Sequence, residues 1–195
     1  MRGRRKNVLL AVLVISLPFL SGCGYNRLVE QDEAIAQQWA QVENAYQRRS
    51  DLIPNLVNTV KGYADFEQQT LTQVIEARSK ATSVNVDAEN LSPEMIGNFQ
   101  AAQEQLSSAL SRLLVTVERY PDLKANQNFL ELQAQLEGTE NRIAFERKKF
   151  NDAVGVYNKS VRRFPRNIIA AIFGFDRKGY FEAESGAEKA PEVSF

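Results

Sequence analysis

The chain has 195 residues, 24 basic and 24 acidic side chains, one cysteine and no histidine. That length is one domain's worth, and the mildly acidic balance of the mature chain argues against a nucleic-acid binder. The absent histidine excludes Ser-His and Cys-His nucleophile systems, Glu-x-x-His di-iron bundles and zinc sites of the usual His and Cys ligands.

The first residues, "MRGRRKN", carry Arg2, Arg4, Arg5 and Lys6, and an apolar run from Val8 to Phe19 follows. A basic head, a short apolar core and a small-residue exit describe a secretory signal peptide over residues 1–22. The core is shorter than the roughly 20 residues of a spanning helix. The exit, Leu20-Ser21-Gly22-Cys23, resembles the bacterial lipobox, in which the cysteine thiol receives a diacylglycerol, the chain is cut before it and the new terminus takes an N-acyl chain such as palmitate. A buried free cysteine or a retained apolar anchor are the alternatives. Two or more acyl chains hold a protein stably on a bilayer. Gly24 in place of aspartate after the cysteine points to the periplasmic face of the outer membrane in a diderm host. Loss of the leader cations leaves 20 basic against 24 acidic residues, a net charge near −4. With its one cysteine lipidated, the chain is held together by packing and not by disulfides.

After a short lipidated linker over 23–27, apolar residues recur at steps of three and four. Leu28, Ile35, Trp39, Val42, Tyr46, Ile53, Leu56, Val60 and Tyr63 form one seam, with Asp32 and Arg49 in its gaps. The seam predicts a helix over about 28–62. Pro54 falls inside it, removing one hydrogen bond and crowding the Ser50 carbonyl, so the reading is a bent continuous helix, with two separate helices as the alternative. Asp65 with Gln68 three residues on has capping-box spacing and opens a shorter helix over 66–81. Ser92-Pro93-Glu94 is a start signal for a helix over 93–119, with Ile96, Phe99, Leu106, Leu110, Leu113, Val117 and Tyr120 on one stripe up to Pro121. The last helix is expected over 123–164, on a seam of Phe129, Leu132, Leu136, Thr139, Ile143, Glu146, Phe150, Ala153, Tyr157, Ser160 and Phe164. Helices with single apolar stripes pack as an elongated antiparallel four-helix bundle, an all-α fold with no strand. Residues 165–195 are expected as an irregular tail packing on the bundle, in which Ile168, Ile169, Ile172 and Phe173 cover a groove at one end. The competing reading is a tail that dips into a membrane or binds a partner.

Gly-rich phosphate loops are missing from the sequence. Glu137 and Glu140 lie one turn apart and Glu146 falls on the seam, yet such spacings are common in helical bundles and make no catalytic or metal site. Arg49 takes an inward slot between Tyr46 and Ile53. A buried guanidinium requires a partner, and an ion pair with Glu137, Glu140 or Glu146 is expected, fixing register. The alternative is an arginine turned outward toward an anionic ligand. Arg147-Lys148-Lys149 and Arg162-Arg163 are expected to face solvent, the alternative for the second being contact, with Arg166, to anionic headgroups.

The blocks "QRRSDLIPNLVNTVKGYA", "VERYPDLKANQNFLELQAQLEGTENRI", "YNKSVRRFP" and "FGFDRKGYFE" resemble the LemA family of bacterial envelope proteins, and the likeness runs over 24–195, including the closing Pro191-Glu192-Val193. The resemblance implies an elongated helical bundle fixed to a membrane at its N-terminus and supplies no enzymatic activity and no active site. Most relatives look anchored by a transmembrane helix, whereas this chain carries a lipobox. The expectation is a lipid-anchored extracytoplasmic protein without cofactor beyond its acyl chains, working non-enzymatically as a scaffold or adaptor for other envelope proteins. A binding module for an anionic lipid or cell-wall fragment is the alternative.

Overall fold

The computed structural model describes the chain over 2–62 and 67–182, with side chains described from Gly24 onward. Among the described residues there is no strand, and the all-α bundle expected from the periodicity is what forms. Helix α1 covers Arg2–Lys61, α2 Gln68–Ser83, α3 Pro93–Val117, α4 Pro121–Lys124, α5 Gln127–Arg162 and α6 Arg166–Phe173.

Every seam position of α1 from Leu28 to Val60 named above is buried, except Asp32 at the edge. The helix runs through Pro54 without interruption. Proline supplies no N–H to the carbonyl four residues back, and that carbonyl, of Ser50, accepts instead from Arg78 Nε of α2 at 2.9 Å. A foreign donor fills the gap that the proline leaves. Residues 23–27, expected as a linker, are helical in α1. The reason is tertiary: Gly24 and Leu28 are buried, and Tyr25 packs against Phe173 with ring centroids 4.9 Å apart.

Helix α2 starts at Gln68 behind an N-cap Glu67 that makes no side-chain cap; Asp65 and Tyr63 lie outside the described residues. Helix α3 opens as its sequence predicts, with Ser92 Oγ accepting from the Met95 N–H and Pro93 in the first turn. The last long helix begins at Gln127, not 123, because Pro121–Lys124 forms its own turn and Asn126 caps α5 through the Phe129 N–H. Helix α5 ends at Arg162, and the chain turns through a cis Phe164–Pro165 bond. Phe164 is thereby thrown off the seam and is 75% exposed. The tail is not irregular throughout: α6 is helical, and Ile168, Ile172 and Phe173, expected to cover a groove, face outward. Ile169 and Ala170 turn toward the bundle, and Phe173 touches it through the Tyr25 ring.

Helices α1, α2, α3 and α5 run up, down, up and down, with α1 along α5 and α2 along α3. Helix α2, at 16 residues, is far shorter than α1 and α5. It reaches only to the level of Ala81, and the fourth side of the lower half is closed differently. Residues 84–91 and 175–182 fill it, with Val86, Leu91 and Phe181 buried. The core accordingly has two parts. The upper contains Ile53, Leu56, Val74, Leu106, Leu113, Phe129 and Leu136. The lower contains Ile35, Trp39, Tyr46, Phe99, Ile143, Phe150, Tyr157 and Phe181.

Candidate functional site: a buried arginine layer and a backbone cradle

Arg49 lies where the two core parts meet and is 1% exposed. One terminal nitrogen donates to Glu140 Oε1 at 2.7 Å and to Ser107 Oγ at 2.8 Å. The other donates to Gln103 Oε1 at 2.7 Å and to the Gln103 carbonyl at 3.3 Å. The guanidinium also lies 5.0 Å from the Tyr46 ring centroid. Gln103 in turn donates from Nε2 to the Ala81 carbonyl at 3.2 Å, near the end of α2. A single side chain therefore ties α1 to α3 and α5, and through Gln103 to α2. A planar fork with fixed donor directions suits a layer that fixes register.

Of the three carboxylates considered for Arg49, the fold brings one. Glu140 is that partner and is itself 45% exposed, so the pair is buried at one end and wet at the other. Glu137 is exposed and accepts from Gln133 Nε2 at 3.0 Å; one turn up the helix it points past the layer. Glu146 is 1% exposed but sits too far down α5, accepting from Gln38 Nε2 at 2.6 Å and pairing with Arg142 at 2.7 Å. The backbone of Leu20, Ser21, Gly22 and Cys23 is helical, and their side chains lie outside the described residues. Among the described residues no three acidic or thiol side chains converge as a metal site would require.

The lower half holds an arrangement that sequence reasoning missed. Residues 178–182 run extended between α3 and α5, and three amide side chains each grip one residue's backbone by both its groups. Asn158 donates to the Lys178 carbonyl at 2.9 Å and accepts from its N–H at 3.0 Å. Asn151 does the same for Phe181 at 2.8 and 2.9 Å. Gln100 holds Glu182 at 2.9 and 3.3 Å. Arg147, expected in solvent, donates to the Glu182 carbonyl at 2.7 Å and covers the Phe181 ring. Gly179 donates to the Leu91 carbonyl at 2.8 Å. A Cβ at 179 would lie 2.7 Å from Pro93 Cα, which only glycine avoids.

Phe181 enters the gap between Trp39, Phe99 and Phe150, stacked on the indole at 6.0 Å and edge-on to both phenylalanines. Lys178 pairs with Asp32 at 3.0 Å and donates to the Glu89 carbonyl at 3.0 Å. Burial, then the charges of Asp32 and Asp176, hold the Tyr157 phenol well above its ordinary range, so it stays protonated. The available signal was the spacing of Asn151 and Asn158, seven residues apart on one face of a buried seam.

Grooves on the outside are open and of mixed lining, leucines beside carboxylates and hydroxyls. One of about 470 Å³ between α3 and α5 is lined by Glu104, Ser107, Ser111, Gln133, Glu137 and Glu140. Its walls repel an anionic ligand.

The sequence matches the LemA family over residues 38–195. The chain belongs to the LemA family. The match takes in the Arg49 layer and the whole cradle and leaves residues 1–37, with Cys23, outside it. Among curated proteins the chain is 26% identical over 181 residues to magnetosome protein MamQ 2 of Paramagnetospirillum magneticum, covering 84% of this chain and 66% of that protein. It is 26% identical over 201 residues to magnetosome protein MamQ of Magnetospirillum gryphiswaldense, covering 93% and 74%. It is 24% identical over 177 residues to protein LemA of Metamycoplasma hominis, covering 90% and 77%. The chain thus spans just under two thirds of the length of the first of these relatives and about three quarters of the other two.

Proposed function

We propose that this LemA-family chain is a membrane-associated envelope protein, tethered through acyl chains on Cys23, that works as a rigid scaffold for other envelope proteins. The observation that carries the scaffold reading is where the polar groups go. Arg49, Gln103, Asn151, Asn158 and Gln100 brace the chain's own helices and tail, while apolar side chains such as Val115, Phe145 and Val156 stand exposed along the flanks. Internal bracing that commits the buried polar groups to the chain itself suits a rigid strut more than a vessel for a small ligand.

No described helix is long and apolar enough to cross a membrane, and the lipobox-like Leu20-Ser21-Gly22-Cys23 supplies the tether. Intact-mass spectrometry with membrane fractionation of the wild type and Cys23→Ala tests this part. The expected mass is that of residues 23–195 plus acyl groups, and the variant leaves the membrane. An unmodified full-length mass overturns the lipid tether. Photo-cross-linking residues at Phe145 and Val156 test the scaffold. Discrete protein adducts are expected, and their absence from both flanks in cells overturns it.

A further inference from the structure

We propose that α6 is a second membrane-contacting element, lying in the headgroup region of the bilayer with its outer apolar face down and anionic headgroups held by the arginines beside it. The proposal rests on the membrane association inferred above but not on how the tether is made.

Phe164, Ile168 and Ile172 follow one another at steps of four, and Phe173 flanks them; they are 75%, 51%, 70% and 59% exposed. Elsewhere on the described surface large apolar side chains stand singly, as is ordinary for a soluble protein. Here three, Ile168, Ile172 and Phe173, stand on a helix of eight residues, with Phe164 in the turn just before it. The inner face is already used. Ala170 is buried, and Ile169 reaches Gly24 so closely that a Cβ there would meet its Cδ1 at 2.5 Å. On the outer face Phe173 is partly covered by the Tyr25 ring, whereas Ile168 and Ile172 stand open.

Three observations name a lipid surface as its occupant. The first is place. Gly24 and Tyr25, against Ile169 and Phe173, directly follow Cys23 and the apolar run Val8–Phe19. Whether the tether is an acylated cysteine or a retained apolar segment, it enters the membrane beside α6. The second is charge. Lys159, Arg162, Arg163 and Arg166 lie at the end of α5 and the start of α6, with no acidic residue between Asp152 and Asp176. Arg162 and Arg163 are exposed, and Arg166 is partly exposed and donates to Ser160 Oγ at 3.3 Å. A basic rim around an apolar face complements anionic headgroups. The third is length, since eight residues span about 12 Å, enough to lie in an interface and too short to cross a bilayer.

The test uses the full-length chain in vesicles of phosphatidylethanolamine and phosphatidylglycerol. A polarity-sensitive fluorophore is placed at Ile172→Cys, and in a second protein at Val115→Cys on the opposite end of the bundle. Flotation reports the tether, and quenching by spin-labelled lipid reports depth. The expected result is a blue-shifted, lipid-quenched probe at 172 and an unquenched probe at 115. Arg162→Gln and Arg163→Gln should each lower the quenched fraction's apparent affinity by about fivefold, as should removal of the anionic lipid. A chain that floats while the 172 probe stays in water overturns the proposal and leaves the tether standing. A 172 probe shielded without lipid quenching means that protein, a second copy or a partner, covers the face, and the proposal fails. A chain that does not float overturns both readings.

Discussion

At the scale of single residues, Arg49 distributes its bonds unevenly, and so should mutations. Removing it strands the buried Gln103 side chain and carbonyl, whereas Glu140 can turn to water. Arg49→Ala is expected to cost about 3 kcal/mol or more, and Glu140→Ala less, about 1.5–3 kcal/mol, because it leaves the buried guanidinium with neutral partners only. Chemical denaturation of each variant in detergent measures both. Equal losses would mean that the ion pair, and not the arginine's wider set of bonds, holds the layer. That Arg49 faces inward was legible in the sequence, because its place in the three-and-four rhythm leaves no other direction. Which carboxylate meets it was not legible. Glu137, Glu140 and Glu146 all lie on α5, and a difference of one helical turn depends on the register between α1 and α5, which packing across the whole length decides. Gln103 and Ser107 were missed because neutral polar groups on a helix look alike whether they face solvent or an arginine.

At the scale of elements, Pro54 and Arg78 form a pair that periodicity could not reveal. The seam showed that one helix face continues through the proline; it did not say what becomes of the orphaned Ser50 carbonyl. Arg78 answers from another helix. Arg78→Ala should therefore cost about 1–3 kcal/mol, the usual penalty for a buried acceptor left bare. In a Pro54→Ala background the new N–H at 54 can serve Ser50, and the same Arg78→Ala change should then cost far less. A double-mutant cycle of unfolding free energies reads the coupling, and additive losses would sink the account. The helix starts at Ser92 and Asn126 follow the same logic from the other direction. The cap at Ser92 was visible as Ser-Pro-Glu, but the one at Asn126 was hidden behind Pro121 and its short turn, which moved the start of the last long helix from 123 to 127.

At the scale of the whole molecule, the tail is a structural member of the bundle. Trp39 is the sole tryptophan and Phe181 stacks on it, so indole fluorescence reports whether the tail is seated. Gly179→Ala drives a methyl group into the Pro93 backbone; it should red-shift the emission and speed amide exchange across 178–182, and an unchanged spectrum would show that the tail tolerates the clash. Phe181→Ala should cost about 3–5 kcal/mol, in the range for a buried phenylalanine, and should loosen the lower core before the upper one in exchange experiments. A sequence reader sees irregular, Gly-containing residues here. The fold needs them extended, because α2 ends halfway and something without a helix's girth must close the remaining side.

The half-length α2 has a consequence for how the molecule comes into being. A chain made from its N-terminus has Trp39, Phe99 and Phe150 ready long before Phe181 exists, and the lower half cannot be sealed until Phe181 has been added. Completion is thus written into the architecture: a message cut short by a few codons before Phe181 yields a protein whose upper half can assemble and whose lower half stays open, its aromatic residues on display to proteases and chaperones. The segment around Phe181 certifies what was made before it.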